Sequence, residues 1–350
     1  MREAIQKIAV GPDRGKDMSR AEAYSVMQSI LHGEADEVQV AVLLIALRMK
    51  RESMDEFLGL FDAMQEAVET IDIDTEELFT LSDPFDGYVR TATMTPFIPA
   101  VLSACGCPSL IHGVKTVGPK HGVTAHKVYQ QAGINVQMTS REVKKSIEMN
   151  GWAYIDQSSY ATSLNALNDL RDKIVKRTAL TTLERLLMPL RAKKTHLVLG
   201  YVHKAYPSIY AGVASAAGYD STLLLKGVEG GLAPALNKPL RQFFIEGELP
   251  DDVDQEKQLI ESAELFNSKN AAQPLNLDDG FVSKKAVQEC LEVGMSVLQG
   301  EKSEARESLC LAAGQILLAH KKADSLSCAI TNVASSLDDG SALERFSMLI

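Results

Sequence analysis

The chain has 350 residues, 45% of them hydrophobic and 23% charged, with 36 Lys and Arg against 46 Asp and Glu for a net charge of −10. That length fills one large domain or two ordinary ones, and that balance is the one found in soluble globular proteins. The negative charge argues against a generally basic nucleic-acid binder, while leaving room for a local cationic patch. Five cysteines, Cys105, Cys107, Cys290, Cys310 and Cys328, are odd in number and sit mostly in apolar helical contexts. They read as small core hydrophobes in a reducing compartment, and Cys105-Gly106-Cys107 lacks the spacing of a zinc site.

The first 70 residues predict helices only. Met1-Arg2-Glu3-Ala4 opens an amphipathic helix, not a basic-plus-apolar signal peptide. Ser19 with Glu22, Asp36 with Gln39, and Ser53 with Glu56 each match a capping box, or its Asp variant, ahead of an apolar-periodic run. Val38, Val42, Ile45 and Met49 repeat at helical spacing, with Gln39 and Arg48 off that stripe. Such short helices bury little alone and must pack on the rest of the chain or on a second subunit. The longest apolar run, Val40 to Leu47, is too short to span a bilayer. A cytoplasmic location with no membrane partner is expected.

From Leu78 short apolar runs alternate with helical stretches. Leu78–Leu81, Ser109–Ile111, Ala153–Ile155, Thr195–Leu199 and Ser221–Leu225 read as buried strands of a largely parallel sheet, while Pro99–Ala104 fits a helix better. After the run at Ser109 comes His112-Gly113-Val114-Lys115-Thr116-Val117-Gly118-Pro119-Lys120-His121-Gly122, with a helix expected from about Thr124. A strand, a Gly- and Lys-rich loop and a helix start read either as a solvated connection or as a phosphate cradle, in which amides would face the anion while Lys115 and Lys120 neutralise it. Leu167–Lys194 reads as mostly helical, with Pro189 marking a break. Its end, Arg171 to Lys194, holds eight cations (Arg171, Lys173, Lys176, Arg177, Arg185, Arg191, Lys193, Lys194) against Asp172 and Glu184. That segment is either a solvated helix face or a stripe for phosphates along a nucleic-acid strand. Gly247–Pro274 is acidic and partly loop-like, and helices return from Ser283.

The stretch His32–Phe57, with its Gly-Glu turn and its Ala-Leu-Arg-Met-Lys ending, resembles the N-terminal region of the anthranilate phosphoribosyltransferase family, glycosyltransferase family 3. The resemblance continues through Ala104-Cys105-Gly106, His112-Gly113, Lys120, Gly122, Ala132-Gly133-Ile134, Arg171, Arg177-Thr178 and Gly340-Ser341-Ala342-Leu343, covering nearly the whole chain. It implies an α/β fold in two parts. A small helical domain, residues 1–72, is completed by helices within about 160–190, and a larger α/β domain, residues 73–350, carries a central, mostly parallel sheet. It also implies a homodimer through the N-terminal helices and a phosphoribosyl diphosphate site between the domains.

The chain departs from the family at the residues that carry its chemistry. Asp83-Pro84-Phe85-Asp86-Gly87 stands where the family has Gly-Thr-Gly-Gly-Asp, and Thr93-Met94-Thr95-Pro96 where it has Asn-x-Ser-Thr. Gly227-Val228-Glu229-Gly230-Gly231-Leu232-Ala233 keeps one acidic slot but loses the Asp-Glu pair that holds Mg²⁺ in the family. Val114 replaces the Asn that follows His-Gly, and Arg171 matches the Arg that faces the aromatic carboxylate.

Two readings follow. In the first, the family's diphosphate and Mg²⁺ motifs are eroded, no cofactor is expected, and the protein binds a phosphate-rich ligand such as single-stranded nucleic acid. Its binding residues would be His112, Gly113, Lys115, Thr116, Lys120, Arg171, Arg177, Arg185, Lys193 and Lys194. In the second, a divergent transferase moves a phosphoribosyl or related glycosyl group to an unidentified acceptor, with Mg²⁺ held by Asp83, Asp86 and Glu229. No residue is assigned a catalytic role by the sequence.

Overall fold

The computed structural model describes residues 1–11, 14–260 and 284–350. The chain begins with α1 (Arg2–Ile8), α2 (Arg20–Leu31), α3 (Glu37–Lys50) and α4 (Met54–Glu66). The expected caps start them: Ser19 with Glu22 and Ser53 with Glu56 form reciprocal capping boxes, and Asp36 accepts the N–H groups of Val38 and Gln39. Glu56 does more than cap. Fully buried, it accepts the Met18 N–H at 2.9 Å and pairs with Lys50 at 2.8 Å, joining the entry of α2, the exit of α3 and the start of α4. Helix α3 buries Val40, Leu43, Leu44 and Leu47, while the stripe of Val38, Val42 and Met49 faces outward, 70%, 43% and 72% exposed.

The second part follows with β1 (Ile71–Asp72), β2 (Glu77–Ser82), α5 (Ile98–Ala104), β3 (Ser109–Gly113), α6 (Ala125–Ala132), α7 (Ser140–Asn150) and β4 (Trp152–Asp156). Four short helices come next: α8 (Gln157–Tyr160), α9 (Thr162–Asn165), α10 (Asn168–Ile174) and α11 (Ala179–Leu183). Then come β5 (Leu190–Arg191), β6 (Lys194–Tyr201), α12 (Tyr206–Ala216), β7 (Ser221–Lys226), β8 (Leu240–Glu246) and β9 (Lys257–Ile260). The described chain closes with α13 (Lys284–Leu298), α14 (Glu304–Ala319), α15 (Leu326–Asp338) and α16 (Ser341–Ser347).

Two expectations change here. The cation-rich stretch 167–194 is helical only to α11 and a short 3-10 turn ending at Leu186. Val175 closes α10 in the left-handed region at φ 61°, and beyond Pro189 the chain runs extended into β5 and β6. Of the acidic stretch 247–274, the described part contains β9, which extends the sheet, and residues 261–274 lie outside the described residues.

The main sheet has the order β4-β3-β2-β6-β7-β8-β9, parallel from β4 to β7 and antiparallel at β8 and β9. Both faces are covered, as a parallel sheet requires. Leu78, Leu110, Leu197 and Leu224 share one core with the N-terminal helices, and Phe79, Ile111, Val198 and Leu223 share another with α5 and the C-terminal helices. Successive strands step outward from β2 to β4 on one side and from β6 to β7 on the other. The switch point therefore lies at the carboxyl ends of β2 and β6, where open α/β sheets form their ligand crevice. No helix among the described residues is long and apolar enough to cross a membrane.

Candidate functional site

Three loops meet at that end of the sheet, leaving β2, β3 and β7. The loop after β2 begins with Asp83, buried, whose Oδ1 accepts the Tyr88 hydroxyl at 2.6 Å. Burial pushes the Asp83 carboxyl up to about 6, against the pull of Tyr88, Arg185, Thr95 and Lys120. The loop after β3 is clasped to it through the backbone. Tyr88 and Val123 exchange N–H···O bonds of 2.9 and 2.8 Å, and the Gly122 N–H reaches the Asp86 carbonyl at 2.8 Å. A Cβ at Gly122 would lie 2.5 Å from Tyr88 N, and one at Gly87, φ +74°, 2.7 Å from the Gly122 carbonyl carbon. These glycines let two backbones touch.

The side chains across this clasp form a line of alternating charge. Arg177 Nε donates to Asp86 Oδ2 at 2.9 Å, with Nη2 on the same oxygen. Lys120 Nζ lies 3.5 Å from Asp86 Oδ1 and 3.4 Å from Glu229 Oε2. Glu229, on the loop after β7, in turn accepts the Arg90 N–H at 2.8 Å and the Val89 N–H at 3.2 Å. Its backbone sits at φ 52°, a left-handed conformation unusual for a residue with a side chain.

Beyond this line the β3 loop is open. Lys115 and Thr116 are exposed. The loop is braced from behind: Thr124 Oγ1 donates to the Lys115 carbonyl at 3.0 Å, and Lys127 Nζ to the carbonyls of His121 and Gly122 at 3.0 and 2.8 Å. Burial, and then the nearby Lys115, pushes the Lys127 ammonium below its ordinary range. Asp172 accepts the Gly118 N–H at 3.0 Å and lies 3.5 Å from His121 Nε2.

The other residues expected at the site fall elsewhere. Arg171 is buried and forks onto Glu184, Nη1 to Oε2 at 2.7 Å and Nη2 to Oε1 at 2.6 Å, with Gln157 also donating to Glu184. Arg185, buried, donates Nη2 to the carbonyls of Ser82 and Gly230 at 3.0 and 3.1 Å and lies over the Tyr210 ring. Lys193 and Lys194 are exposed at the start of β6, the opposite end of the sheet, where Lys193 pairs with Glu76. The cationic segment is thus split between the mouth, the interior and the far edge. His112 lies beneath the mouth, bonded through Nδ1 to the Tyr160 hydroxyl at 2.9 Å, and burial pushes its imidazole down to about 3. Gly113 ends β3 beside the Tyr154 ring.

Asp86 and Glu229 converge on the Lys120 ammonium and not on a metal position, and Asp83 faces away toward Tyr88. Asp83 faces Tyr88, Asp86 faces Arg177 and Lys120, and Glu229 faces Lys120 and two amides. Among the described residues no group of three or more His, Cys, Asp or Glu side chains is placed to hold a metal ion. A divalent cation draws its oxygen ligands to within about 2.1–2.5 Å, and here an ammonium stands between two of the three carboxylates. The residues as arranged do not fit Mg²⁺. Sequence reasoning missed Tyr88, and it counted Asp172 and Glu184 only as charges opposing the cationic stretch.

The N-terminal part, residues 2–68, matches the helical bundle domain of the glycosyl transferase family, and residues 89–343 match that family's a/b domain. An uncharacterized protein of Aquifex aeolicus (strain VF5) is 27% identical over 277 residues, 76% of this chain and 84% of the relative. The anthranilate phosphoribosyltransferase of Geobacillus sp. (strain WCH70) is 27% identical over 339 residues, 96% of this chain and 94% of the relative. Among solved structures, anthranilate phosphoribosyltransferase from Thermus thermophilus superposes with a TM-score of 0.76 at 19% identity, covering 99% of this chain and 98% of its own. The Saccharomyces cerevisiae enzyme in complex with PRPP and Mg gives 0.77 at 14% identity, covering 100% and 96%.

Proposed function

The chain belongs to the glycosyl transferase family of helical-bundle and α/β domains, and from that premise we propose that it binds a phosphate-rich ligand, single-stranded nucleic acid, through side-chain cations without a metal ion. The observation that carries this reading is the position of Lys120, whose ammonium lies between Asp86 and Glu229. An ammonium in that place supplies the positive charge that a diphosphate-binding cleft otherwise takes from a divalent cation. Lys115, Thr116 and the exposed face of Arg177 form the mouth that meets the phosphates, with Lys120 behind them and His112 and Gly113 as its floor. Arg171, Arg185, Lys193 and Lys194 have other partners or another location and are left out of the contact set. Asp83-Pro84-Phe85-Asp86-Gly87 leaves recognition to side-chain cations, because Pro84 has no N–H with which a backbone cradle could hold a diphosphate.

A second reading, transfer of a phosphoribosyl or related glycosyl group with Mg²⁺, draws on a different observation. Ser82 Oγ, Asp83 Oδ2, His112 Nε2 and Arg185 Nε are buried without a hydrogen-bond partner, and all lie near the carboxyl ends of β2 and β3. Groups of that kind call for a polar companion. Against it, the Arg171 fork that would grip an acidic acceptor is filled on both sides by Glu184.

The outward stripe of Val38, Val42 and Met49 on α3 supports a homodimer through the N-terminal helices. Binding of fluorescent single-stranded DNA at low and high salt tests the preferred reading. Binding that weakens steeply with salt and is lost in Lys115→Ala/Lys120→Ala supports it, and indifference to DNA at low salt sinks it.

A further inference from the structure

We propose that Asp86 is an internal competitor for phosphate, its carboxylate occupying the anion position between Arg177 and Lys120, so that a phosphate group binds by displacing it. The inference rests on the phosphate-binding reading and adds a residue that sets which ligands bind. Asp86 receives what an incoming phosphate would ask for: the Nε and Nη2 edge of a guanidinium on Oδ2 and an ammonium 3.5 Å from Oδ1.

The exposures of the partners are unequal in the direction that matters. The Asp86 side chain is 4% exposed, whereas that of Arg177 is 46% exposed and covers it from the solvent side. A ligand therefore meets the guanidinium first and the carboxylate only after Arg177 turns. The rest of the loop has its own anchors. The Tyr88–Val123 backbone bonds and the Glu229 contacts to the Val89 and Arg90 amides hold it without Asp86, so the carboxylate can leave while the loops stay clasped. Two carboxylates, Asp86 and Glu229, flank Lys120, and a single weakly charged anion gains little by replacing either. A ligand with adjacent phosphates can engage Arg177 and Lys120 together and outweigh the loss. Asp86 thus selects polyphosphorylated ligands over lone anions.

The test is a titration of the full chain with inorganic pyrophosphate and, separately, with an oligonucleotide, for wild type, Asp86→Asn, Arg177→Ala and the double variant. Asparagine keeps the shape and one acceptor while removing the charge. The expected result is that Asp86→Asn binds pyrophosphate about tenfold tighter than wild type, and that the gain disappears when Arg177 is also removed. Unchanged or weaker binding by Asp86→Asn would overturn the proposal. So would a gain that survives without Arg177, since that is only the loss of one negative charge. Nuclear magnetic resonance of the Arg177 Nε–H, which donates to Asp86 Oδ2, gives a second readout on the wild-type protein: pyrophosphate should shift it, and an unshifted signal in the bound protein contradicts displacement. Salt-sensitive binding of the oligonucleotide, equal in wild type and Asp86→Asn, would leave phosphate binding standing and remove the competitor. Failure of both proteins to bind either probe would remove both.

Discussion

Asp83 shows how one residue's burial becomes a property of the whole fold. Its carboxyl is raised from its ordinary value of 3.8 to about 6, with burial as the leading cause. A raised carboxylate keeps its proton in the folded state while the unfolded chain has released it. The penalty is therefore absent below about pH 4, grows between pH 4 and 6, and is fully present above 6. Asp83→Asn removes the charge and keeps an acceptor for the Tyr88 hydroxyl. The variant should gain on wild type as pH rises from 4 to 7, by up to about 3 kcal/mol in urea unfolding. A stability difference independent of pH over that range contradicts the assignment. None of this was legible in the sequence, where Asp83 was a candidate metal ligand. What makes it a buried acid is Tyr88, Thr95 and the helix-covered end of β2, which fold around it.

At the scale of elements, the helical part turns on close contact as much as on periodicity. Helices α2 and α4 pack together, and Gly59 sits where they touch: a Cβ there would lie 2.1 Å from the Arg20 carbonyl oxygen and 2.7 Å from the Ala23 Cβ. Alanine in an exposed helix interior gains about 1 kcal/mol over glycine, but here the clash is with backbone and outweighs it. Gly59→Ala should lose roughly 1–3 kcal/mol, read as a lower urea midpoint, and a stabilised variant would show that the helices separate freely. The capping boxes at Ser19 and Ser53 were legible because each is a local arrangement among four residues. β5 fell inside the stretch read as helical, but β2, β3, β4, β6 and β7 were legible as apolar runs between breakers. Strands β8 and β9 were not, since β8 mixes Arg241 and Gln242 with Phe243 and Phe244, and its pairing is set by distant partners. The 171–194 segment misled because its cations share a sequence neighbourhood but not a surface. Arg171 turns inward to Glu184, and Lys193 leads into a strand.

For the whole molecule, the α3 stripe carries the prediction about assembly. Wild-type protein should sediment as a dimer and Val42→Lys/Met49→Lys as a folded monomer; equal sedimentation of the two would place the contact elsewhere. The site itself is also a property of the whole. Lys120 and Glu229 are 109 residues apart in the chain and meet because the sheet's switch point gathers the loops after β2, β3 and β7. The loop after β3 was legible as a Gly- and Lys-rich connection from a strand to a helix. That its Lys120 would stand between two carboxylates was not, because no local pattern links them.

The measurement that bears most directly on metal-free phosphate recognition is a titration of the full chain with phosphoribosyl diphosphate and with single-stranded DNA, each with and without Mg²⁺. DNA binding should be salt-sensitive, indifferent to Mg²⁺ and weakened by removing Lys115 and Lys120. Binding of the sugar diphosphate that appears only with Mg²⁺, together with no response to DNA, would contradict metal-free recognition.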